Sequence, residues 1–256
     1  MNPFDIYDRN IVVTGANGYL GRTLTLGLLE QGANVLALSR NLSDLNKLIQ
    51  NRFTDRLLSL KVDCNSEQDV SSALDSFCKN FGPVDGVFNN AYSATRRPGF
   101  DMSLEQIHET FQNCFVHYWT TIRTAIRYFR TDGGSIVNNS SLWAELAPNL
   151  DMYLDLENEP SIALSVAKAS VNQLTRYLST YLADKNIRIN SLVPGTFPQM
   201  RGKERLDYME QLQQRIPMRR IGKPLELLGP LIFLLSDASS YMTGQIMYVD
   251  GGFSVY

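Results

Sequence analysis

Three stretches of this 256-residue chain carry residues whose types and spacing could do chemistry. The first is Thr14-Gly15-Ala16-Asn17-Gly18-Tyr19-Leu20-Gly21, which joins an apolar β-branched run, Asn10 to Thr14, to a helical pattern from Arg22 to Gln31. Glycines let the backbone turn tightly and come close to a pyrophosphate, and the helix that follows offers free N–H groups and a positive dipole end. The plain alternative is a β-turn-α connection without a ligand. The second stretch is Ser39-Arg40-Asn41, at the end of the next strand. In strand–turn–helix folds an acidic residue there hydrogen-bonds the ribose 2′-hydroxyl of NAD, whereas an arginine accommodates the 2′-phosphate of NADP. No Asp or Glu stands at this place, so Arg40 favours NADP(H) over NAD(H), the alternative being a solvated surface arginine. The third is Ile162 to Leu178, a helical pattern carrying Lys168 where it should face a bound cofactor.

The elements that must position these groups alternate. Strands are predicted at Val35–Leu38, Leu57–Val62, around Gly86–Phe88, Ser135–Asn138, Ile187–Leu192 and Gln245–Val249. Between them helices are predicted over Glu67–Asn80, a long region at about 103–129 containing Asn113, the helix around Lys168, a charged segment at about 202–215, and Leu225–Leu235. Repeated βα units of this length give an α/β fold: a single-domain, Rossmann-like, doubly wound parallel sheet with helices on both faces. Ligands then bind at the carboxyl ends of the strands.

Composition narrows the class further. Hydrophobic residues make up 44% and charged residues 20%, the formal net charge is -2 and the pI about 5.7. That balance points to no nucleic-acid partner and no membrane surface, and no apolar run reaches the length of a membrane span. Cys64, Cys78 and Cys114 form no CxxC pair and no metal-ligand spacing, so no metal is expected. An odd cysteine count and the lack of an apolar leader at the N-terminus suggest a reducing, cytoplasmic location. His108 and His117 share one predicted helix and read as structural or surface residues.

Taken together, Thr14-Gly15…Gly21, Asp63, Asn89-Asn90-Ala91, Asn113, Ser140-Ser141, Lys168, Pro194-Gly195 and Val249-Asp250-Gly251-Gly252 resemble the classical short-chain dehydrogenase/reductase family over nearly the whole chain. The resemblance implies a nicotinamide-dependent oxidoreductase acting on a small molecule. It implies that Asp63, with Cys64 beside it, contacts the adenine, and that Asn89, Asn90 and Ala91 line the adenosine. Asn113 would hold a relay water, Ser141 would orient a substrate carbonyl, and Lys168 would hydrogen-bond the nicotinamide ribose. The backbone at Pro194, Gly195 and Thr196 would clasp the nicotinamide end. Asn89-Asn-Ala-Tyr92, the extended segment after Ser141 and the run Leu174 to Tyr181 are similar, more narrowly, to a branch associated with flagellin modification and surface-sugar biosynthesis. The family also implies a homodimer or homotetramer, through the helices at about 103–129 and 161–184 and the segment Phe253–Tyr256.

Three departures stand out. The middle glycine of the turn falls at Gly18, with Tyr19 in the family's usual place. Tyr92 replaces the usual glycine after Asn-Asn-Ala. Leu164 stands four residues before Lys168, where the family keeps a proton-transferring tyrosine. One helical turn separates residues four apart, so a tyrosine there would share a face with the lysine; leucine transfers no proton. A segment at 142–160, roughly ten residues longer than the family's common spacing, reads as a loop over the site mouth. It carries Tyr153, a candidate substitute phenol, and Glu145, another titratable group near Ser141. The alternative for Tyr153 is packing or solvent exposure. The segment at 199–220 occupies the place of a substrate lid. Its Arg201, Lys203, Arg205, Arg215, Arg219 and Arg220 would suit a phosphorylated or nucleotide-linked sugar, or form a solvated amphipathic helix with Glu204, Asp207 and Glu210. A catalytically silent dinucleotide-binding protein, acting as sensor or partner subunit, is the competing reading.

Overall fold

In the computed structural model, which describes residues 2–50, 52–93, 101–149, 161–199 and 206–255, seven parallel strands form one sheet. They are β1 (Asn10–Thr14), β2 (Asn34–Ser39), β3 (Leu57–Lys61), β4 (Gly86–Asn89), β5 (Gly134–Asn139), β6 (Ile187–Pro194) and β7 (Ile246–Val249). Their order is β3-β2-β1-β4-β5-β6-β7, so the winding direction reverses between β1 and β4. That reversal opens a crevice at the carboxyl edge of the sheet.

The strands read as apolar runs because both faces are covered. Ile11, Val12 and Val13 of β1 are buried, and β1 pairs with β2 on one side and β4 on the other. Two apolar layers flank the sheet. One packs α1 (Tyr19–Glu30) and α8 (Leu228–Leu235) through Leu24, Leu28, Leu231 and Leu234. The other packs α3 (Glu67–Phe81), α5 (His117–Ala125) and α6 (Ile162–Leu182) through Val70, Phe77, Ile122 and Leu178. Ser66 and Ser161 cap α3 and α6, their hydroxyls accepting the Asp69 and Leu164 amides at 3.1 and 3.3 Å.

Several expected elements change on inspection. A short helix, α2 (Ser43–Ile49), follows β2 without having been foreseen. The long helix expected over 103–129 is a succession: α4 (Leu104–Phe111), a π-helical turn (Gln112–Val116), α5, and a 3-10 turn (Ile126–Tyr128). The helix expected from Leu225 begins as a 3-10 turn, Pro224–Leu227. The charged segment forms α7 over Leu206–Arg215. No helix among the described residues is long and apolar enough to cross a membrane.

Candidate active site

The crevice at the strand reversal holds a cavity of about 580 Å³. Its floor is the glycine turn. Gly15 takes a left-handed φ of +65°, which favours glycine, and a Cβ there would lie 2.6 Å from the Ala91 Cα. A Cβ on Gly21 would lie 2.1 Å from the Gly15 carbonyl oxygen. The outer glycines therefore let strand β1, the start of α1 and the loop after β4 meet at van der Waals distance. Gly18 is the N-cap of α1, and by helix geometry the Tyr19, Leu20 and Gly21 amides have no partner within the helix. All three residues lie on the cavity wall, so those N–H groups suit an anion.

Asn17 lies on the same wall, but its side-chain oxygen accepts the Asp44 and Leu45 amides, both at 2.9 Å, and so holds the first turn of α2. Ser39 and exposed Arg40 continue the wall from the end of β2. Asp63 and Cys64 follow from the end of β3, with Asp63 accepting both the backbone and side-chain N–H of Asn65. Burial beside Asp63 pushes the Cys64 thiol up to about 12, so it stays protonated.

Asn90 and Ala91 complete this half. Asn90 donates to the Thr14 and Gly15 carbonyls, each at 3.2 Å, and accepts from Asn139 at 2.9 Å. Thr14 and Asn89 are on the inner side of the wall. The Thr14 hydroxyl accepts the Asn90 and Ala91 amides at 3.0 and 3.1 Å. Asn89 is fully buried and donates to Asn138, which donates to Thr175. Successive side chains alternate across a strand, so Asn89 turns into the protein where Asn90 turns out. Thr14 and Asn89 thus tie strand ends together, and the cavity surface falls to their neighbours.

Asn113 lies on the cavity wall, carried by the π-helical turn, and accepts from Asn65 at 3.3 Å. Such turns add one residue to the helix and often mark functional positions. His117, next on that helix, is buried on the same wall and donates Nε2–H to the Ala91 carbonyl at 2.7 Å, which fixes the tautomer. Burial, with the Lys168 charge nearby, lowers its pKa to about 4, so it is neutral near pH 7.

Lys168 is 3% exposed. Its ammonium donates to the Tyr118 hydroxyl at 2.9 Å and the Asn139 carbonyl at 2.6 Å, and Tyr118 donates to that same carbonyl at 2.8 Å. Burial lowers the lysine to about 8 and raises the fully buried Tyr118 phenol well above its usual range. Leu164 lies one turn earlier on α6, half-buried. Ser141 leaves β5 and accepts the Trp143 amide at 3.2 Å, starting a 3-10 turn over Leu142–Ala144.

Beyond these groups the site divides. Pro194, Gly195 and Thr196 are not on the large cavity; Thr196 lines a second one of about 220 Å³ with Phe197, Met218 and Arg220. Glu145 is tied away from Ser141: it accepts from Tyr248 at 2.6 Å, Arg176 at 3.0 Å and Asn172 at 3.2 Å. Those donors hold its carboxyl below the usual range, Tyr248 foremost. Arg220 is engaged with both oxygens of Glu226 at 2.8 and 2.6 Å, and Arg219 donates to the Gln214 carbonyl. Arg215 is exposed at the end of α7. Tyr153, Arg201, Lys203 and Arg205 lie outside the described residues. Wall residues the sequence did not mark include Val62, Asn65 and Phe197. Tyr118, the partner of Lys168, has no local signal at all.

A parallel sheet with a glycine-cradled crevice at its reversal point defines a dinucleotide-binding α/β protein. A family model described as enoyl-(acyl carrier protein) reductase matches residues 15–254. The chain belongs to that family, within the short-chain dehydrogenase/reductases, which are NAD(P)-dependent oxidoreductases. It is 29% identical over 253 residues to post-translational flagellin modification protein A of Campylobacter coli, covering 96% of this chain and 98% of the relative. It is 31% identical to L-xylulose reductase of Caenorhabditis elegans over 258 residues, covering 98% of each. A solved gluconate 5-dehydrogenase from Burkholderia cenocepacia, in complex with NADP and tartrate, superposes with a TM-score of 0.86 at 27% identity, covering 100% of this chain and 98% of that one.

Proposed function

We propose that this chain is an NADP(H)-dependent oxidoreductase that interconverts an alcohol and a carbonyl on a polyhydroxylated, phosphorylated or nucleotide-linked sugar. The observation that carries the reading is the cradle: glycines whose Cβ atoms would strike backbone, three free helix amides, and Arg40 on one wall. These fit a dinucleotide, with the Tyr19–Gly21 amides toward the pyrophosphate, Arg40 toward a 2′-phosphate and Asp63 toward the adenine. Lys168 is a buried cation with no carboxylate partner among the described residues, and its place suits ribose hydroxyls. When bound, the nicotinamide supplies or accepts a hydride. Ser141 orients the reacting carbonyl, Asn113 holds a water, and Tyr153 transfers the proton that Leu164 cannot.

The relatives named for L-xylulose and gluconate support a sugar substrate, and the one named for flagellin modification agrees with the narrower resemblance. Arg215 leaves one described cation of the lid available for an anionic group. A cytoplasmic homodimer or homotetramer remains part of the proposal.

The test follows NADPH oxidation with keto and aldehydo sugars offered free, phosphorylated and nucleotide-linked, in the wild type and in Tyr153→Phe. General acid–base catalysis contributes on the order of 10²–10⁴ in rate. Turnover of an anionic sugar that falls by about that factor in Tyr153→Phe is the expected result; unchanged turnover in the variant sinks the rescue by Tyr153. The observation favouring a silent site is Leu164, and turnover that first arises in Leu164→Tyr would support that second reading.

A further inference from the structure

Tyr92 joins the large cavity to Lys168, since its ring lines the first and contacts the second. It follows the Asn90-Ala91 wall, is 60% exposed and lines the cavity with Asn113 and His117. Lys168, by contrast, is 3% exposed, and neither it nor Ser141 is among the described residues of that wall. The Lys168 ammonium lies over the Tyr92 ring, 5.7 Å from its centre, and over the Tyr118 ring at 4.7 Å. Two of its three N–H groups are used, on Tyr118 and Asn139, and no third acceptor stands among the described residues. A desolvated ammonium is attracted to an aromatic face, so the ring has a reason to stay where it is. The cavity therefore presents the glycine cradle, Arg40 and Asp63 openly, and stops short of the lysine at an aromatic ring.

We propose that Tyr92 gates the inner half of the cleft: an adenosine phosphate enters freely, while a full nicotinamide dinucleotide reaches Lys168 only when the Tyr92 ring gives up its place over the ammonium. The residue thus sets how strongly the site distinguishes a dinucleotide from its adenosine half. Tyr118 cannot play this part, because it is fully buried and bonded to both Lys168 and Asn139. The gate rests on the cofactor reading of the cleft.

The experiment measures calorimetric affinities of 2′,5′-ADP and NADP⁺, with ADP and NAD⁺ in parallel, for the wild type, Tyr92→Gly and Tyr92→Phe. Thermal melts check that each variant is folded. Displacing a cation–π contact of this kind corresponds to on the order of threefold to thirtyfold in affinity. Tyr92→Gly is expected to bind the dinucleotide tighter by that factor and the adenosine phosphate with unchanged affinity. Tyr92→Phe keeps the ring and is expected to behave as the wild type. Equal dinucleotide affinity in the wild type and Tyr92→Gly overturns the gate while leaving the cofactor reading intact. A gain shared by Tyr92→Phe, or by the adenosine phosphate, overturns it as well. Failure of every nucleotide to bind any of the three proteins defeats both the gate and the cofactor reading.

Discussion

Lys168→Met should match the wild type to within about 1 kcal/mol near pH 7 and fall behind it as pH rises above about 8, in the absence of nucleotide. The lysine is buried without a carboxylate among the described residues, and burial lowers it from the ordinary 10.5 to about 8. At about 1.36 kcal/mol for each tenfold in proton affinity, holding the charged form near pH 7 costs about 3 kcal/mol. Methionine of similar length removes that penalty. It also removes the charged amine's bonds to Tyr118 and Asn139, together worth about 3 kcal/mol. The Asn139 carbonyl keeps the Tyr118 hydroxyl as donor, so no buried acceptor is orphaned. The two nearly cancel, so the variant is expected to lie within about 1 kcal/mol of the wild type near pH 7. The balance then shifts with pH. Between the folded value of about 8 and the unfolded 10.5 the unfolded chain binds more protons, so the wild type gains stability as pH rises through that window. The variant lacks the group and does not. Urea unfolding of both proteins across this range reads the difference directly, since other titrations cancel. A difference between the two proteins that stays constant from pH 7 to pH 10.5 would refute the account of Lys168 as a desolvated cation without a carboxylate among the described residues.

Three further substitutions separate the cradle from its surroundings. Gly21→Ala places a methyl 2.1 Å from the Gly15 oxygen and should destabilise by about 1–3 kcal/mol, whereas Gly229→Ala, with nothing within 4 Å, should stabilise by up to ~1 kcal/mol. Chemical denaturation of both variants checks the pair, and a Gly21→Ala protein as stable as the wild type would mean the turn is not tight. Glu145→Gln should lower stability by no more than ~1 kcal/mol, because its partly exposed bonds to Tyr248 and Arg176 are screened. Its carboxyl is held below the ordinary range, so the contribution is present above the unfolded carboxylate value and is lost as pH falls through the lowered one. Thermal melts of Glu145→Gln and wild type should therefore converge in acid, and a gap that widened there would contradict the assignment.

Much of this molecule was legible because its signals are local. The β-branched runs, the glycine turn and the helix at Lys168 announce themselves within a few residues, and the parallel sheet follows from repeated βα units. What escaped depends on distance. α2 is capped by Asn17, which arrives from another loop, and its seven residues carry too little periodicity to stand out. The π-helical turn at Gln112–Val116 shifts the helix by one residue, which a pattern of apolar spacing absorbs without trace. Arg220 and Glu145 look like available charges in the sequence. Their partners Glu226 and Tyr248 remove them, the latter from 103 positions away. Tyr118 meets Lys168 across 50 positions, and only the packing of α5 against α6 shows it.

The proposed preference of the cleft for NADP(H) is tested most directly by a calorimetric titration of the purified protein with NADPH and, separately, NADH. The account predicts binding of NADPH tighter by about tenfold or more, the worth of one charge-assisted contact to a 2′-phosphate, with the preference lost in Arg40→Ala. Equal or stronger binding of NADH, or no binding of either, would contradict it.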